Sequence, residues 1–70
     1  MKEFRHEFIL ECSDDLVSYA ISLSEAARRQ NAHSCRVYFD CIKAVGRSIA
    51  STLAEIEAEE AAEKQKAEAA

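Results

Sequence analysis

The first dozen residues alternate. Phe4, His6, Phe8, Leu10 and Cys12 fall on one side of a period of two, and Glu3, Arg5, Glu7, Ile9 and Glu11 on the other. Only Ile9 breaks the pattern, so a half-buried strand is expected over residues 3–12. A helical turn is the alternative, because Phe4, Phe8 and Cys12 also recur every four residues. A lone strand leaves its backbone groups unsatisfied, and no second strand is visible in the chain. The partner expected for it is the same strand of a second copy, related by a two-fold axis.

The period then changes. Ser13, followed by Asp14 and Asp15, has the chemistry of a helix start: a hydroxyl to accept from a free amide, and two acids at the positive end of the dipole. Leu16, Ala20, Leu23 and Ala27 line one face, with Val17 and Ile21 beside them, while Ser18, Ser22, Glu25 and Arg29 line the other. This predicts an amphipathic helix over about residues 14–30. Residues 30–34 break it, with Asn31 suited to a left-handed turn and Ser34 to capping the next helix. So short a connection makes two helices antiparallel neighbours.

The second helix is expected from Cys35 into the sixties. Tyr38, Ile42, Val45, Ile49, Thr52 and Ile56 recur at alternating steps of four and three, a heptad seam that Val37 and Leu53 widen. Arg36, Asp40, Lys43 and Arg47 form a charged stripe elsewhere on it. Gly46, Ala50 and Ala54 suggest a close helix crossing, since only small side chains let two backbones approach. Residues 57–70 keep high helix propensity without large apolar groups and read as a solvated acidic tail on a domain spanning residues 1–56.

Composition sharpens this picture. The chain has 70 residues, no proline and one glycine. Turn chemistry is therefore scarce and helices dominate. A chain of this size buries only about 60% of its unfolded surface, which favours completion of the core by a second copy. The fold class expected is mainly α: a helical hairpin with a short N-terminal strand or helical turn, forming a two-fold homodimer. The interface would use Phe4, Phe8, Leu10, Leu16, Ile42, Val45, Ile49 and Leu53.

The net charge of −4 is uneven: residues 31–51 carry +2 and residues 52–70 carry −4. That disfavours broad nucleic-acid binding, which needs a dense positive surface. No apolar run approaches the roughly 20 residues of a membrane span, and the N-terminus lacks a signal-peptide core. Three cysteines, an odd number, fit reduced thiols in a cytoplasmic protein.

Candidate chemistry is thin. His6, Cys12, His33, Cys35 and Cys41 are metal-ligand types, but none lie in a C-x-x-C pair, and six residues of helix turn Cys35 and Cys41 apart. His33 and Cys35, two apart at a helix start, rarely face each other as a nucleophile and base would need to. No metal, cofactor or catalytic residue is assigned, and no enzyme activity is expected.

Strand, helix, short loop and helix over residues 3–53 resembles the layout of the ribbon-helix-helix family of DNA-binding repressors and antitoxins. That resemblance implies that the outward strand residues Glu3, Arg5, Glu7, Ile9 and Glu11 would face base edges. Three of the five are acidic and would repel DNA. In size, charge and layout the whole chain also resembles the small acidic helical proteins that bacteriophages encode to disable host machinery, such as anti-activators of quorum-sensing regulators and anti-CRISPR proteins. That resemblance implies a non-catalytic inhibitor docked on a larger host protein such as a transcription regulator. The side chains expected to meet such a partner are Tyr19, Tyr38 and Phe39, with Arg28, Arg36 and Arg47 around them.

Overall fold

The computed structural model describes residues 2–69, and the side chains of residues 4–68. The chain forms two helices, α1 (Lys2–Arg28) and α2 (Ala32–Ala69), folded back on each other as an antiparallel hairpin. No strand occurs among the described residues. The hairpin is a thin rod, 60 × 16 × 13 Å along its principal axes. Its length is that of α2, since 38 residues at about 1.5 Å of rise give about 57 Å.

The expected strand is therefore corrected to helix: residues 3–12 open α1, which runs through Ser13 without a break. The reason is a second periodicity. Arg5, Ile9, Cys12, Leu16, Tyr19, Leu23 and Ala26 recur at steps of four and three, and each is buried or half-buried. This seam continues from the N-terminal segment into the region expected to be helical, and it exists only if both are one helix. Ser13 does not cap anything. Its Oγ donates to the Ile9 carbonyl at 2.8 Å, a bond made inside a helix. Asp14 and Asp15 are exposed mid-helix, where they cost only propensity.

The partner seam on α2 is Tyr38, Ile42, Val45, Ile49, Thr52 and Ile56, all half-buried or buried, and it extends one step further to half-buried Glu59. Arg5 pairs with Glu59 and lies 3.6 Å from a Glu55 oxygen. With that pair at one end and the turn at the other, equal helical rise sets Cys12 level with Thr52, Leu16 with Ile49, and Ala26 with Tyr38. The seam thus closes on an ion pair at its open end instead of on another apolar layer.

The turn is built on other residues than expected. Gln30 N–H donates to the Ala27 carbonyl at 3.0 Å, and Asn31 N–H to the Ala26 carbonyl at 3.0 Å. These are the paired bonds of a Schellman ending, with Gln30 in the left-handed position at φ 58°. Asn31 is the cap of α2: its Oδ1 accepts from Ser34 N–H at 3.1 Å, while its carbonyl takes the first helical bond from Cys35 N–H. Asn31, not Ser34, is thus the cap, and α2 begins at Ala32, three residues before Cys35.

Two helices cannot enclose a core. Among the described residues no side chain is below 2% exposed, and only Cys12, Ala26 and Ile56 are buried. Gly46 was expected at a close crossing, but it lies off the seam, and a Cβ built there would meet nothing within 4 Å. It is not where α1 and α2 approach. Residues 60–68 are exposed and helical, continuing α2 through the boundary at residue 57; Ala70, the last residue of the expected tail, lies outside the described residues.

Candidate functional site

Besides the charged back of α2, three faces of the rod remain after the seam is closed, and they differ in chemistry. The first is the back of α1. Leu10, Val17 and Ile21 are 65%, 59% and 57% exposed. Steps of seven and four put them in one line, about 150° around the helix from the seam. Exposed Arg28 continues that line at the turn end, and exposed Asp14 sits between Leu10 and Val17. Three large aliphatics so exposed, in register on one helix, are an uncovered apolar stripe and not scattered surface residues.

The second face is a flank of the hairpin near the turn. Leu23, Ala32, Cys35, Arg36 and Phe39 line an open, nearly apolar groove there. Phe39 is 43% exposed. Its ring carries two cations, Arg36 at 5.8 Å from the centroid and Lys43 at 5.1 Å. Lys43 also lies 3.4 Å from Asp40, one turn back. Further along the same flank come Gly46 and then Leu53, 42% exposed. The opposite flank is polar, with Ser22, Glu25, Arg29, Asn31 and Ser34 around Ala26 and Tyr38.

The residues expected at partner contacts are divided by this arrangement. Phe39 is exposed, as are Arg28, Arg36 and Arg47. Tyr19 and Tyr38 are half-buried members of the seam between the helices. Of the eight residues expected at a dimer interface, Leu16, Ile42, Val45 and Ile49 belong to the seam within one chain, whereas Phe4, Phe8, Leu10 and Leu53 are exposed. Phe4 and Phe8 lie on the side of α1 away from the Phe39 flank. The ribbon on which the repressor layout depended is helical here. Arg5 of that ribbon is turned into the seam toward Glu59, and Ile9 is half-buried beside it; the side chain of Glu3 lies outside what is described.

The Leu10–Val17–Ile21 stripe was missed because its members were split between a strand and a helix. The signal is present once residues 2–28 are one helix: a second line of aliphatics offset from the first.

All three cysteines are free thiols, Cys12 within the seam and Cys35 and Cys41 half-buried. Among the described residues no group of three His, Cys, Asp or Glu side chains is placed to hold a metal ion, and no helix is long and apolar enough to cross a membrane. Compared with protein-family models, curated proteins and solved structures, the chain matches none.

Proposed function

We propose that the protein is a non-catalytic regulator that works as a homodimer and inhibits a larger protein by docking on it, a bacterial host protein such as a transcription regulator being the class of target that its size and charge suggest. The observation that carries this reading is the Leu10–Val17–Ile21 stripe. A helix that presents three aliphatics in register, with a cation at one end, has the form of an amphipathic helix made for an apolar groove on a partner. Arg28 supplies the charged contact at the end of the stripe.

The test is affinity capture from a bacterial lysate, with and without nuclease, using the wild type and a Val17→Asp/Ile21→Asp variant. A stoichiometric protein that survives nuclease and is lost with the variant is the expected result. Both substitutions lie at exposed positions off the seam, so the hairpin should persist by circular dichroism. Recovery of DNA alone, lost on nuclease treatment, would sink the reading, as would undiminished capture by the variant.

A further inference from the structure

We propose that two copies of the chain pair through the flank of α2 that carries Phe39, Gly46 and Leu53, antiparallel about a two-fold axis at Gly46. The inference gives a geometry to the homodimer of the preceding reading and rests on it.

The face is uncovered and its spacing is symmetric. Phe39 and Leu53 are 43% and 42% exposed, each two turns from Gly46 in opposite directions. A two-fold axis at Gly46 sets Phe39 of one copy level with Leu53 of the other, and Ile42 level with Ala50. Each large side chain then meets a residue of matching character. The hairpin gives no reason for glycine at position 46, because a Cβ there meets nothing within 4 Å. A close approach by a second helix backbone supplies one.

Charge selects the second copy as occupant, and the antiparallel direction. Residues 17–47, the turn half of the rod, hold five basic residues and two acids, a net +3. The rest of the chain, the open half, holds four basic residues and eleven acids, a net −7. An antiparallel pair lays the basic half of each copy along the acidic half of the other. Arg36 then comes level with Ile56 and its neighbour Glu57 of the second copy. A parallel pair would stack like on like.

Area agrees. The chain exposes 5535 Å². A folded monomer of 7.8 kDa exposes about 4,400 Å² by the usual scaling with mass. The excess, about 1,100 Å², is more than the roughly 800 Å² that each partner buries in a standard interface.

The experiment is sedimentation equilibrium on the full chain and on Gly46→Glu, with helicity followed in parallel. The wild type is expected at twice the chain mass. Gly46→Glu sets two carboxylates at the axis, and its dimerisation is expected to weaken at least tenfold while the hairpin stays helical. A variant that dimerises as well as the wild type overturns the α2 face and leaves the homodimer reading standing. A wild type that stays monomeric as concentration rises overturns both. If Gly46→Glu does not fold, Gly46→Cys in a Cys35→Ser/Cys41→Ser background replaces it. Helices about 8–10 Å apart, each with Cα atoms about 2.3 Å from its own axis, leave roughly 3.5–5.5 Å between two residue-46 Cα atoms facing each other, so the two thiols are within disulfide reach under mild oxidation. A covalent dimer supports the axis at Gly46; no cross-linking above the Cys35→Ser/Cys41→Ser background overturns it.

Discussion

Gln30 carries a cost that glycine would not. Its left-handed φ of 58° is strained for a residue with a Cβ by roughly 1–2 kcal/mol. It is tolerated because the two bonds of the Schellman ending and the Asn31 cap together satisfy the helix ends around it. Gln30→Gly is therefore expected to stabilise the hairpin by about 1 kcal/mol, or about 4–8 °C in the thermal midpoint for a chain this small. Asn31→Ala removes the acceptor for Ser34 N–H and is expected to cost about 1 kcal/mol. Urea denaturation of the two variants checks both signs. Ser13 distinguishes two local structures: at a helix start its loss to alanine would cost about 1 kcal/mol. Inside α1 its Oγ bonds only the Ile9 carbonyl, and alanine is the better helix former. Ser13→Ala is thus expected to leave stability unchanged or slightly raised, and a loss near 1 kcal/mol would show that a helix begins there.

At the scale of elements, α2 was legible and the start of α1 was not, for a physical reason. Tyr38, Ile42, Val45, Ile49, Thr52 and Ile56 hold one period for nearly three heptads, and no other period fits them. Residues 4–12 are short enough to satisfy two. Phe4, His6, Phe8, Leu10 and Cys12 alternate as a strand would, yet Arg5, Ile9 and Cys12 are the first positions of the helical seam. Tertiary packing decides, because only the helix puts Ile9 and Cys12 against α2 while Arg5 reaches Glu59. Ser13-Asp14-Asp15 strengthened the wrong reading, since a cap sequence costs little on an exposed mid-helix face. The break expected at residues 30–34 falls at residues 29–31, and the cap and the left-handed residue each fall one or more positions from where propensity alone puts them. At Gly46, where the hairpin leaves open space, Gly46→Ala should gain roughly 0.5–1 kcal/mol of hairpin stability from helix propensity. Thermal unfolding at a concentration where the chain is monomeric isolates that gain from any effect on pairing.

For the whole molecule, the governing fact is thinness. A rod 13 Å across its narrowest axis buries one seam and leaves Leu10, Val17, Ile21, Phe39 and Leu53 in water. Small domains meet this deficit with staples or oligomerisation. This chain has no disulfide among its described residues, and the pairing proposed at Gly46 would meet the deficit by association. Two uncovered faces on different helices allow one to join two copies and the other to meet a target. The candidate site was only partly legible for the same reason. Phe39 and its cations could be read from α2 alone, but which aliphatics the hairpin leaves outside depends on which it uses inside. Charge gives a separate handle on the pairing. Arg36→Glu is expected to weaken dimerisation, and Arg36→Glu/Glu57→Arg to recover most of it, as measured by the concentration dependence of mass.

The measurement that tests the central claim most directly is the distance between like positions in the assembled protein, read by pulsed electron resonance. One nitroxide is placed at a time, on Arg47→Cys, beside the axis but off the pairing face, or on Glu60→Cys, in the Cys35→Ser/Cys41→Ser background. Antiparallel pairing at Gly46 makes like positions diverge by about 3 Å per residue from the axis. A short separation at position 47, growing to roughly 40 Å at position 60, is the expected result. Equal separations at the two positions would mean parallel pairing, and the absence of any dipolar signal at either would mean that the hairpins do not pair through this face.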